Sequence, residues 1–151
     1  FLKTMNASDV QKLREITGAG VMDCKKALQD ASGDFDKAVS LINERGILKA
    51  EKKAGRETGA GILESYVHNG RVGVLLALRC ETDFVAHSEP VKELSRNLAM
   101  QIAAMSPETV DELLKQPYIR DEKTTVANLI KGVIAKVGEI IKVEKICRYE
   151  L

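Results

Sequence analysis

The chain predicts an α+β protein, a small three-helix module followed by a core in which a three-stranded antiparallel sheet packs with helices. Three observations carry this. Short helical patterns broken by glycines fill the front of the chain. An Asn69-Gly70 pair separates two strand-like runs. Two amphipathic helical patterns and a closing segment of strand composition complete the sequence.

Ser8-Asp9-Val10-Gln11 has the capping-box spacing, so a first helix is expected to start at Ser8, with Val10 and Leu13 on one face until Gly18 and Gly20. A second spans Val21 to Ala31 and stops near Gly33. Asp34 caps a third, whose Phe35, Ala38, Val39 and Ile42 share a face up to Gly46, read as its end. The Lys-, Gly- and Arg-containing stretch from Lys49 to Gly61 then reads as a solvated tether. The expected division is a helical module over 1–48, a linker over 49–60 and an α+β core over 61–151.

Within that core, Ile62–His68 and Arg71–Cys80 flank the Asn69-Gly70 turn, whose two central positions require positive φ. Val72, Val74, Leu76, Leu78 and Cys80 alternate onto one strand face. Ser88, Glu89 and Pro90 open a helix with a stripe of Val91, Leu94, Leu98, Ile102 and Met105. A short turn region, Ser106–Gln116, precedes a second helix carrying Val126, Leu129, Ile130, Val133, Ile134 and Val137, stopped by Gly138. The last strand, Ile140–Tyr149, is expected to place Ile141, Val143, Cys147 and Tyr149 on one face. One antiparallel sheet with helices against one face follows from this order.

A chain of 151 residues, 44% hydrophobic and 30% charged, can bury one moderate core, or one core and a satellite. A net charge of +1 and an aromatic content of 4% argue against nucleic acid as a partner. The apolar run Val72–Leu78 is far too short to cross a bilayer, so no membrane role is expected. Cys24, Cys80 and Cys147 have no paired spacing and no histidines placed to complete a metal site, and their scatter fits a reducing compartment. The first residue is Phe1 rather than Met, which suggests processing or trimming.

Enzymatic signatures are missing. Gly18-x-Gly20 followed by Lys25 lacks both the phosphate-loop spacing and a preceding strand, and reads as an interhelical turn. His87 stands four residues after Asp83, a surface pair rather than an acid–base couple. With no nucleophile elbow and no carboxylate cluster, neither catalysis nor a cofactor is expected. The informative place is Cys80-Glu81-Thr82-Asp83-Phe84-Val85-Ala86, a strand end running into a helix start. An Asp there is ordinarily a helix cap, and a Phe in the first turn ordinarily packs inward. Left exposed, the pair instead makes a tip built to enter a partner.

Arg79-Cys80-Glu81-Thr82-Asp83-Phe84-Val85-Ala86 resembles the Thr-Asp-Phe segment of bacterial-type elongation factor Ts. Leu13-Arg14-Glu15-Ile16-Thr17-Gly18-Ala19-Gly20-Val21-Met22-Asp23-Cys24-Lys25-Lys26-Ala27-Leu28 resembles that family's N-terminal pattern. The likeness continues through Ala50-Glu51-Lys52-Lys53-Ala54, the hairpin Ser65–Leu75 and Ile134-Ala135-Lys136-Val137-Gly138-Glu139, covering nearly the whole chain.

The resemblance implies a nucleotide exchange factor that releases GDP from the GTPase elongation factor Tu. Phe84 would insert between helices of the GTPase, Asp83 would engage polar groups beside its Mg²⁺ site, and Thr82 would set their direction. It implies a ubiquitin-associated-like front module gripping the GTPase through Arg14, Val21, Met22 and Lys25. It further implies a homodimer, because longer relatives present two core subdomains and this chain has material for one. Cys147 is then a candidate intersubunit cysteine, with a buried strand thiol as the alternative. The implied compartment is the bacterial cytoplasm, or the mitochondrial or plastid matrix. The competing function is a ubiquitin-associated-type binding adaptor without exchange activity.

Overall fold

A computed structural model describes residues 6–151; Phe1 lies outside them. Three helices come first, α1 (Ala7–Thr17), α2 (Val21–Asp30) and α3 (Phe35–Lys52). The cap of α1 is Asn6 rather than Ser8: the Asn6 side chain accepts from the Ser8 amide at 3.3 Å. Asn and Ser are comparable caps, and Asn6 wins two positions earlier. Gly18 closes α1 in the left-handed region at φ 69°, as a C-cap glycine does. Asp34 caps α3 through Lys37 N at 3.0 Å, as its spacing predicts. Leu13, Cys24, Ala27, Leu28, Ala38 and Ile42 form the buried centre of these helices.

The third helix departs from expectation. Gly46 does not end it; α3 runs on to Lys52, so Lys49–Lys52, expected as tether, is helical. Ala50 is buried within the second hydrophobic core, that of the sheet. A Cβ at Gly46 would sit 3.0 Å from the Ala135 Cβ, so this glycine permits a close helix crossing instead of a stop.

That second core is built on β1 (Ala60–His68), β2 (Val72–Cys80) and β5 (Ile141–Glu150), an antiparallel sheet in the order β1-β2-β5. Asn69 and Gly70 have φ of 51° and 64°, the two left-handed turn positions their sequence predicts. Between β2 and β5 lie α4 (Asp83–Ala86), α5 (Glu89–Met105), α6 (Val110–Lys115), the small hairpin β3 (Pro117–Tyr118) and β4 (Asp121–Thr125), and α7 (Val126–Val137). Val74, Leu76, Leu78 and Cys80 are buried against Val91, Leu94, Leu98 and Ile102 of α5 and Ile130 and Ile134 of α7.

Three further expectations are corrected. Met105, at the last turn of α5, is exposed, and Ser106 turns the chain in the left-handed region at φ 50°. Residues 106–116 contain a helix, α6, whose cap Thr109 accepts from Glu112 N at 3.1 Å. The strand β5 does not keep one apolar face. Its register jumps from Leu78↔Val143 to Ala77↔Lys145, leaving Glu144 as a bulge. That extra residue reverses the alternation. Ile141 and Val143 stay with the buried face of β2, whereas Cys147 and Tyr149 stand opposite Leu75 and Gly73 on the open face.

Among the described residues, the buried side-chain nitrogen and oxygen atoms all have hydrogen-bond partners. Gln101 accepts from Ile119 N at 2.9 Å and donates to Pro117 O at 3.1 Å, which fastens the β3–β4 hairpin to α5. No helix among the described residues is long and apolar enough to cross a membrane.

Candidate functional site

The strand β2 ends at Cys80, and the chain turns outward through Glu81 and Thr82 into the single turn of α4. The cap of that turn is Thr82, not Asp83: its hydroxyl accepts from Val85 N at 3.3 Å. Val85 and Ala86 face the core, and Asp83 and Phe84 face solvent. Phe84 is 88% exposed, so the inward packing usual for a first-turn Phe does not occur. His87 is not paired with the Asp83 carboxylate; its Nδ1 lies 2.8 Å from the Asp83 carbonyl oxygen, one helical turn back.

This turn is braced from below by the loop after α7. Glu139 accepts from the Thr82 amide through Oε1 at 2.9 Å and from the Thr82 hydroxyl through Oε2 at 2.8 Å. In the reverse direction, Glu81 Oε1 accepts from Ile140 N at 2.9 Å. The end of α3 joins in: Arg56 reaches Glu81 at 3.4 Å, and Lys53 Nζ donates to Gly138 O at 3.1 Å. The Ile140 amide foremost, then Arg56, hold the Glu81 carboxyl below the usual glutamate range. Beneath the turn, burial pushes the Cys80 thiol up, reinforced by the negative charge of Glu139, and its sulfur lies 3.3 Å from Thr82 O. A thiol so placed is a packing group.

The front module supplies a second exposed surface. Val21 and Met22 open α2 and Ile16 closes α1, all exposed, with Met22 at 72%. Arg14 lies in the last turn of α1, and Lys25, four residues after Val21, shares its side of α2. Arg14, Val21, Met22 and Lys25 thus flank the α1–α2 corner, on elements separate from the turn of Thr82, Asp83 and Phe84. Ile16 continues the three-residue spacing of Val10 and Leu13, which points inward, yet it is exposed here.

The two surfaces are keyed to one support. A Cβ at Gly18, in the α1–α2 corner, would lie 3.3 Å from Lys136 Cγ, and Gly46 meets Ala135. Ala135 and Lys136 belong to the last turn of α7, immediately before the Gly138-Glu139 loop that holds Thr82. Among the described residues, no three His, Cys, Asp or Glu side chains converge to hold a metal ion.

Two cores joined through α3 and α7, with a bare aromatic on a braced turn, define an α+β protein of the helical-module-plus-sheet class. The comparisons with known proteins agree. A family model described as Elongation factor TS matches residues 2–113. The protein named Elongation factor Ts of Rippkaea orientalis is 42% identical over 97% of this chain and 78% of its own length. That of Oleidesulfovibrio alaskensis is 40% identical over 99% of each, and that of Thermotoga maritima 42% identical over 94% of each. The chain belongs to the elongation factor Ts family. The alignment with the Oleidesulfovibrio protein runs over 196 positions, more than the 151 residues here, so that relative carries segments without a counterpart in this chain.

Proposed function

We propose that this chain is a guanine nucleotide exchange factor that releases GDP from the GTPase elongation factor Tu. The observation that carries the reading is Phe84, 88% exposed on a turn whose base is fixed by Glu139 and Thr82. An exposed ring on a rigid mount loses little entropy on insertion into a pocket, which is what an interface anchor needs. Asp83 beside it brings a carboxylate toward a bound Mg²⁺ and its supports, whose geometry tolerates little displacement. Arg14, Val21, Met22 and Lys25 provide the grip on the GTPase. No covalent step and no cofactor are required, because exchange is differential binding.

The same reading includes a homodimer joined through the open face of the sheet, where the bulge at Glu144 gathers apolar groups. Leu63 (71% exposed), Val67 (66%), Leu75 and Tyr149 (77%) stand there around Cys147. No helix among the described residues covers them, and a contiguous apolar face of this kind marks an interface. A dimer would present two cores where longer relatives carry both in one chain. The compartment that suits this function is the bacterial cytoplasm, or an organelle matrix with bacterial-type translation.

Labelled-GDP chase from purified elongation factor Tu is the test. Acceleration by the folded protein is expected. Binding to ubiquitin without any effect on GDP release would replace the exchange reading with the adaptor one.

A further inference from the structure

The exchange reading assigns the work at the nucleotide site to Asp83 and Phe84, and what aims them is a residue far away in sequence. We infer that Glu139 is the positioning residue of the tip, acting through Thr82; this inference rests on that reading. Glu139 touches neither Asp83 nor Phe84 in any hydrogen bond among the described residues. Its two carboxylate oxygens instead take the amide and the hydroxyl of Thr82, at 2.9 and 2.8 Å.

The chemistry of that pairing is specific. An ionised carboxylate only accepts, so the Thr82 hydroxyl directs its proton to Glu139. Its lone pairs are thereby left for Val85 N, at 3.3 Å, and this bond fixes the single turn carrying Asp83 and Phe84. A four-residue helix has too few internal bonds to hold its own direction. Two charge-assisted bonds, each stronger than a neutral one, supply what the turn lacks.

Glu139 is itself seated on the end of α7. Lys53 of the α3 C-terminal end donates to Gly138 O, the adjoining residue, and Ile140 N on the other side is held by Glu81. Gly18 of the grip surface abuts Lys136 in the preceding turn. Glu139 therefore ties the tip to the same helix end against which the grip surface leans. A GTPase held at the α1–α2 corner meets the tip at a fixed offset.

The test compares the parent with Glu139→Ala, Glu139→Gln, Phe84→Ala and the Phe84→Ala/Glu139→Ala double variant, each checked for folding by thermal melting. GDP release from elongation factor Tu is followed as a function of exchange-factor concentration. Glu139→Ala is expected to lower the maximal rate about tenfold, the scale set by hydrogen bonds to a charged group, with the half-saturating concentration changed far less. Glu139→Gln keeps an oxygen for the Thr82 amide but loses the charge and turns a donor toward the Thr82 hydroxyl, so it should recover only part of the rate. The double variant should lose less than the product of the two single losses, since Glu139 acts in part through Phe84 and in part through Asp83.

Amide hydrogen exchange at Val85 in the free protein, expected to be about tenfold faster in Glu139→Ala, reads the clasp without the GTPase. A parental maximal rate in folded Glu139→Ala, losses that multiply in the double variant, or unchanged Val85 exchange would each overturn the inference. If the parent itself releases no GDP, the exchange reading fails, and the Val85 measurement alone then decides whether Glu139 fixes the turn.

Discussion

Gly46→Ala ought to stabilise a helix and here ought not to. In the interior of an exposed helix, replacing Gly by Ala gains about 1 kcal/mol. At Gly46 the added Cβ lies 3.0 Å from the Ala135 Cβ on α7, well inside the roughly 3.5–4.0 Å at which carbon atoms rest. The Ala135 methyl is fixed to its backbone and has no rotamer with which to yield, so α3 and α7 must part. Overpacking of this kind costs about 1–3 kcal/mol, which leaves a net loss of about 1 kcal/mol after the propensity gain. Gly132, in the interior of α7 with open space where its Cβ would go, is the internal control. Gly132→Ala should gain about 1 kcal/mol.

Urea unfolding of both variants, with the slope of free energy against denaturant compared alongside the midpoint, separates the two signs. In an Ala135→Gly background the clash is gone and Gly46→Ala should become stabilising, a coupling of about 2 kcal/mol on the scale reached by residues in contact. If Gly46→Ala and Gly132→Ala stabilise alike, α3 does not cross α7 at Gly46. The shared support of grip and tip then falls with that contact.

The other predictions concern the surfaces. Phe84→Ala should leave stability within about 0.5 kcal/mol of the parent, as exposed positions do, yet slow exchange at least about 30-fold, the equivalent of a 2 kcal/mol hot spot; normal exchange in GDP chase would make the tip an ordinary helix start. Glu81, held below the usual glutamate range, contributes stability that is present above its unfolded pKa and lost as pH falls through its folded one. An NMR titration of Glu81 in Arg56→Ala should show its midpoint moving up but still below the ordinary value, because the Ile140 amide, the larger cause, remains; full return to the ordinary value would contradict this. The reduced protein should scatter light as a dimer, as should Cys147→Ser, while Leu63→Lys combined with Tyr149→Lys should make it monomeric. A monomeric parent at micromolar concentration would remove the dimer.

The sheet and the flanking helices were legible because their signals are local. Asn69-Gly70 has one favourable hairpin geometry, and the stripes Val91–Ile102 and Val126–Ile134 each fit one helical face. Gly46 was not legible, since a glycine that ends a helix and one that admits a neighbour look alike until Ala135 is placed beside it. The bulge at Glu144 was equally silent: one additional residue moves Cys147 and Tyr149 to the other face with no change in composition. The α6 start is written locally, since Thr109 followed by Glu112 carries a capping spacing, but the six residues of α6 are too few to show a helical stripe.

At the candidate site, Thr82, Asp83 and Phe84 could be picked out as a junction, but their brace could not. Thr82 and Glu139 are 57 positions apart, and nothing in the neighbourhood of either announces the other. Arg14, Val21, Met22 and Lys25, the proposed grip, rest on resemblance alone, and Ile16 stands exposed beside them only once α1 and α2 are folded against each other.

The most direct test of the central claim is a pair of affinities rather than a rate. The affinity of this chain for elongation factor Tu is measured by calorimetry with the GTPase nucleotide-free and with it saturated by GDP. Exchange by differential binding predicts much weaker binding to the GDP-bound form, and linkage requires the chain to weaken GDP binding by the same factor. Phe84→Ala should shrink that factor toward one. Equal affinity of the parent for the two forms would contradict the account, because a partner that does not distinguish them cannot displace the nucleotide at equilibrium.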